Sequence, residues 1–181
     1  FYWAIGILPF KDGFYSSNNK QVGGQTQGPE KDPDRETLMA TLSCAMVGPM
    51  DGIFLLNKTR IMTTCMADGT VLKPDAPVHT SDSCFLNAKG DGCYVYHAES
   101  AVSGYGTVHY AFNNEGGAPL TPRDTHLAAA DVGKYVVRNW YTGAVAVLAA
   151  STPLAAGYEG HNYASISPIV NGWVFFGEVG K

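Results

Sequence analysis

The sequence is short of charge. Only 15% of its 181 residues are Asp, Glu, Lys or Arg, and Lys+Arg 12 against Asp+Glu 16 leaves a net charge of −4. Without a basic excess there is no footprint for a phosphate backbone, so no nucleic-acid partner is expected. Long hydrophobic runs are missing too. The longest, Ala144 to Ala150, falls far below a bilayer span, and no membrane partner is expected. Cysteine is scarce, and Cys44, Cys65, Cys84 and Cys93 include no C-x-x-C pair, which argues against a zinc ribbon or a thioredoxin-type site. There is no G-x-S-x-G elbow and no G-x-x-x-x-G-K-[ST] loop, so serine-hydrolase and P-loop chemistry lack support. Neither a cofactor nor a metal is expected.

What is present suits a packed, strand-rich protein. Apolar residues make up 45%, enough for a core, and aromatics reach 12%. Gly 21 and Pro 10 favour many short strands joined by tight turns over a helical bundle. The opening Phe1-Tyr2-Trp3-Ala4-Ile5-Gly6-Ile7-Leu8 has the pattern of a buried strand, and Trp173 to Val179 also ends on a strand pattern. Natural termini are usually polar and frayed, so the expectation is a piece of a longer polypeptide.

Cys84 and Cys93 flank a turn-rich stretch ending in Gly90-Asp91-Gly92. A disulfide closing that loop is the favoured reading, with four buried thiols as the alternative. Asn57-Lys58-Thr59 is an N-glycosylation sequon. Together these lean towards a secreted or lysosomal location.

The pattern divides the chain into residues 1–77 and 78–181. In the first part strand and helix alternate. Phe1 to Leu8 reads as a strand, and Asp34 as the cap of a helix from Arg35 to Ala45 with Leu38, Leu42 and Ala45 on one stripe. Ala45 to Met50 reads as a short buried strand, and Leu56 to Ala67 as a second helix stopped by Gly69. Lys73-Pro74-Asp75-Ala76-Pro77 is stiff and extended and marks the boundary. From Val78 the period is two. Cys93–His97, Gly106–Phe112, Lys134–Trp140, Ala144–Ala149, Ser165–Val170 and Trp173–Val179 are predicted strands, with turns at Thr142-Gly143 and Asn171-Gly172. The expected class is α+β: the last two β/α units of a TIM-type barrel, then an antiparallel β-sandwich.

Chemistry in such a barrel lies in the loops after the strands. Asp12 and Asp51 occupy those positions, each just before a glycine. A carboxylate there can bind sugar hydroxyls, or it can simply cap its own loop. Trp3, Phe14 and Tyr15 can supply an apolar platform for a sugar ring, or belong to the core.

Several short runs carry a resemblance. They are Phe10-Lys11-Asp12-Gly13-Phe14-Tyr15-Ser16, Leu42-Ser43 with Val47-Gly48-Pro49-Met50-Asp51-Gly52, and Asn57-Lys58-Thr59 leading to Cys65-Met66-Ala67-Asp68-Gly69. Leu72-Lys73-Pro74 and Val170-Asn171-Gly172-Trp173 with Phe176-Gly177 belong with them. The chain resembles the end of the barrel and the following β domain in α-galactosidase and raffinose-synthase-like glycoside hydrolases. The resemblance implies carbohydrate as the partner, with Asp12, Asp51 and Tyr15 on the substrate rim. It also implies the remainder of the same polypeptide, or barrel, as a second partner. The two catalytic carboxylates of that family usually lie on earlier strands, so they are expected upstream of residue 1, and this piece alone is expected to be inactive. The rival reading is a non-catalytic carbohydrate-binding or structural extracellular protein on a degenerate hydrolase scaffold.

The five histidines show no metal spacing. His97 and His109 fall on neighbouring predicted strands and read as a satisfied pair, because two imidazoles alone rarely hold zinc. Glu30, Asp32 and Asp34 read as solvated charge.

Overall fold

The computed structural model describes residues 2–19, 29–80, 95–113, 135–140, 142–147 and 162–177. The predicted Cys84–Cys93 disulfide lies outside these residues. The fold is α+β, with few helices and a mostly antiparallel six-stranded sheet. The chain divides into two compact units, Phe1–Pro77 and Val78–Gly180.

In the first unit, helix α1 spans Pro33–Leu42. Its cap is Asp32, not Asp34: the Asp32 carboxylate accepts from the Arg35 amide at 3.0 Å. Pro33 follows at the first helical position, where a missing N–H costs nothing, and Asp34 and Glu36 face the positive end of the helix. The acidic run is therefore structural rather than merely solvated. The helix stops at Leu42, just before Cys44 takes a left-handed φ of 67°. Its buried positions are Pro33, Thr37, Ala40 and Leu42, so only Leu42 of the expected stripe is fully covered.

The second predicted helix is cut short. Helix α2 covers only Lys58–Ile61, with Asn57 as its cap, and a 3-10 turn follows over Met62–Thr64. Thr63 and Thr64 explain the truncation. Their hydroxyls donate back to the Arg60 and Ile61 carbonyls at 2.6 and 2.8 Å and compete with the helical amides. Gly69, at φ +89°, makes a tight turn between Cys65 and Val71, which form an antiparallel bridge, rather than stopping a helix.

The strand expected over Phe1 to Leu8 is not formed by Tyr2 to Leu8, the described part. Trp3–Ile5 is a 3-10 turn closed by left-handed Gly6, whose amide donates to the Trp3 carbonyl at 3.0 Å. Ile7 N–H returns to the Tyr2 carbonyl at 2.9 Å, so the local turn takes amides that a ladder would need. Ala45–Met50 contributes a single parallel bridge, Phe14 to Pro49, instead of a buried strand.

The sheet runs β1 (Ala76–Thr80), β2 (Val95–Val102), β3 (Gly106–Asn113), β4 (Tyr135–Asn139), β5 (Val145–Val147) and β6 (Asn162–Pro168). Their spatial order is β1-β2-β3-β6-β4-β5. A three-residue turn, Ser103 to Tyr105, joins β2 to β3 and pairs Glu99 with His109 and His97 with Ala111. Strands β3 and β6 sit at the centre and are buried on both faces. Val108, Tyr110, Tyr163 and Ser165 lie on one side, and Ala111, Ala164 and Ile166 on the other. Beyond β6, Asn171 and Gly172 take φ +50° and +80°. Val170 and Trp173 exchange hydrogen bonds at 3.0 and 2.9 Å around them, which is the two-residue hairpin this Asn-Gly pair encodes. The last predicted strand, Trp173–Val179, keeps only that bridge among the described residues.

Candidate functional site

The first unit brings the segments of Asp12, Tyr15 and Asp51 side by side. Phe14 N–H donates to the Gly48 carbonyl at 3.1 Å, and Met50 N–H to the Phe14 carbonyl at 2.8 Å. These two bonds form a single parallel bridge, and α1 lies between the two bridged segments in sequence. A side chain at Gly13 would meet that of Met50, whose exposed, flexible thioether would have to swing aside.

Asp51 is used within the loop. One carboxylate oxygen accepts from the Ser16 amide at 2.8 Å, and the other from the Ser17 hydroxyl at 3.3 Å. Asp12 is exposed and accepts from the Gly13 amide at 2.8 Å. Tyr15 is half-buried between them in sequence.

Ser16, wholly buried, is the hub of this region. While its amide donates to Asp51, its hydroxyl accepts from the Asn57 amide at 2.9 Å and its carbonyl from Arg60 Nη1 at 2.5 Å. Arg60 also forks onto Asp34, with Nε and Nη2 donating to the two carboxylate oxygens at 2.6 and 3.3 Å. Asn57, the sequon residue, is half-buried, and its Oδ1 accepts from the Arg60 amide at 3.0 Å.

Cys44 and Cys65 are buried thiols. Burial pushes the Cys44 thiol up to about 11, against the smaller pull of the Lys73 ammonium, while Asp75 adds a further upward push. Its Sγ–H points to the Pro74 carbonyl at 2.9 Å.

The second unit gathers a different set. His97 and Glu99 stand two apart on β2, and His109 faces Glu99 across the ladder, so all three occupy one face of the sheet. Glu99 Oε2 lies 3.7 Å from His97 Nε2 and 3.6 Å from His109 Nδ1. Each residue brings one potential metal-donor atom, and the three atoms lie within 4.8 Å of one another. His97 is fully buried and His109 nearly so, while the Glu99 side chain is 41% exposed. From β1, the exposed His79 ring packs edge-on against His97 with centroids 4.3 Å apart.

The sequence reading foresaw that His97 and His109 fall on neighbouring strands but missed Glu99 and His79. The H-x-E spacing on an alternating strand was the available signal for Glu99. It also missed Ser16 and Arg60, for which no local pattern exists. No family model matches the chain, and no curated protein sequence matches it. Among the described residues, no helix is long and apolar enough to cross a membrane.

Proposed function

We propose that the chain is part of a carbohydrate-active protein of the α-galactosidase and raffinose-synthase-like kind. Residues 1–77 would supply the end of a β/α barrel and one edge of a sugar pocket, and residues 78–181 an accessory β-sandwich. The observation that carries this reading is the parallel pairing of Phe14 with Pro49 across α1. Parallel neighbours joined through a helix are the repeating unit of such barrels, and acids just beyond the pairing are where the rim chemistry lies. Tyr15 and Asp51 follow the paired residues, whereas Asp12 comes before Phe14 on the first segment. The exposed Trp3, Ile5, Ile7, Leu8 and Phe10 support a further layer of the barrel as the cover of this unit. Burial of both faces of β3 and β6 supports the sandwich.

No residue of this chain is assigned the nucleophile or acid/base role. A second reading, non-catalytic binding on the same scaffold, is favoured by one observation: both oxygens of Asp51 are engaged by Ser16 and Ser17. Asp51 then shapes the rim, and the exposed Asp12 meets the ligand. A secreted or lysosomal location, with a glycan on Asn57, goes with either reading.

The test is saturation-transfer NMR on the full chain, with galactose and raffinose as probes. Transfer to the sugar is expected, with loss in Asp12→Ala and weakening in Tyr15→Ala. Absence of transfer, or transfer unchanged in Asp12→Ala, would overturn the rim assignment. Incubation with an α-galactoside separates the two readings once the upstream sequence is included: turnover supports the hydrolase, and binding without turnover supports the scaffold.

A further inference from the structure

We propose that His97, Glu99 and His109 form a binding site for a single divalent transition-metal ion, with Zn2+ the ion best suited to the donors. The proposal concerns the second unit and does not rest on the carbohydrate reading.

The distances separate two explanations of the cluster. If Glu99 simply accepted hydrogen bonds from two imidazoles, its oxygen would lie about 2.7–3.2 Å from their nitrogens. The separations are 3.7 Å to His97 Nε2 and 3.6 Å to His109 Nδ1, beyond that range. Two donors sharing one tetrahedral ion at zinc–ligand lengths of about 2.0–2.1 Å stand about 3.3 Å apart. Both Glu99 separations lie within a few tenths of an ångström of that value, and all three donor atoms lie within 4.8 Å of one another, so side-chain rotation has to bring the two imidazoles together to close the shell. The objection that two imidazoles rarely hold zinc is met by Glu99, which supplies a third, anionic donor. Two imidazoles and one carboxylate form a ligand set of the kind that binds zinc with a coordination position left for water or a ligand oxygen.

The fold supports the site. β2 and β3 are adjacent, the turn at Ser103–Tyr105 fixes their register, and Glu99 lies directly opposite His109. His97 and His109 are held in the packed sheet, while the partly exposed Glu99 side chain gives an ion a route from solvent.

The experiment uses the full chain, stripped with a chelator and titrated with Zn2+ by calorimetry. One saturable equivalent is expected, and Co2+ should give the visible bands of a low-coordinate site. Glu99→Gln, which keeps size and fold, should weaken Zn2+ binding at least about tenfold, the lower end of what even indirect partners of a metal contribute. Replacing the two histidines that fall outside the described residues, His126→Ala with His161→Ala, should leave binding unchanged. Should His97→Ala or His109→Ala fail to fold, imidazole NMR of the unaltered protein still decides, because Zn2+ should shift the His97 and His109 ring signals together. The proposal is overturned if Zn2+ does not saturate a site, if Glu99→Gln binds as tightly as the parent, or if binding follows His126 and His161.

Discussion

The two units are held together by different physics. In the sheet, Val108, Tyr110, Ala111, Ala164 and Ile166 are at most 1% exposed, and apolar residues outnumber the buried His97, His109, Ser165 and Ser167, so burial of apolar surface is the larger part. In the first unit, the buried set mixes Phe14, Ala40 and Leu42 with Ser16, Asp32, Thr37, Ser43 and Thr64. Several of its largest apolar side chains face outward. The strands depend first on alternation and correct turns. The helical unit depends on particular donors finding particular acceptors, because a buried polar group left unmatched costs about 1–3 kcal/mol.

The sharpest way to break this comparison is to remove equal chemistry from both units. Ile166 is fully buried, and Ile53 is 82% exposed. Ile166→Ala should destabilise the sheet by about 3–4 kcal/mol, since the cavity adds to the lost transfer energy. Ile53→Ala should change stability by less than about 0.5 kcal/mol. Urea unfolding, with amide exchange read separately in β3 and in α1, checks both. Equal losses would remove the distinction.

Cys44 tests burial in the helical unit, where burial is otherwise thin. A thiol raised from 9.0 to about 11 in the folded state must be protonated to stay buried. Its contribution is therefore complete below pH 9 and is lost as pH rises through 11. The folded protein should resist alkylation at Cys44 at pH 8, with a thiolate fraction about a hundredfold below that of an ordinary thiol. Between pH 9 and 11 the parent should lose stability that Cys44→Ala does not lose. Matching pH profiles for the two proteins would refute the assignment.

How much was legible in the sequence follows the same divide. Five of the six sheet strands overlap predicted runs, and Asn171-Gly172 announced its own turn through the positive φ it requires. Local rules also found α1, missing its cap by two residues because Pro33 takes the first helical position. They failed at Leu56 to Ala67, where the apolar pattern continues but the hydroxyls of Thr63 and Thr64 end the helix. The Ser16 hub was not legible at all. Its partners lie 35, 41 and 44 positions away, and no window on the chain contains them together. Glu99 lay between these cases: alternation puts it on the face of His97, but only the register of the β2–β3 turn puts it opposite His109.

Arg60 sharpens the account of the helical unit. Arg60→Ala removes the fork to Asp34 and the bond to the Ser16 carbonyl together. It should cost about 2 kcal/mol, as expected for charge-assisted bonds that are only part-buried. Arg60→Lys should recover less than half of this, because an ammonium cannot span both carboxylate oxygens and the carbonyl in one plane. Thermal unfolding of the two variants, with Asp34→Asn as the second arm of a double-mutant cycle, measures the coupling. Full rescue by lysine would mean that charge alone matters here.

The smallest effect has the most to say about the outward-facing apolar residues. Phe54 is 98% exposed and takes a φ of +67°, a conformation costly for a bulky side chain. Within this unit its ring gains almost nothing from burial, yet its backbone is strained. Phe54→Gly relieves that strain but adds freedom to the unfolded chain. The balance should raise stability slightly, by about 0.5 kcal/mol, the scale of such backbone exchanges. Urea unfolding of the variant measures that sign. A loss above about 1 kcal/mol would mean that the ring packs in solution, because truncating an exposed side chain rarely costs that much. A small gain, together with weakened sugar binding in the saturation-transfer experiment, would identify Phe54 as strained for recognition rather than for folding.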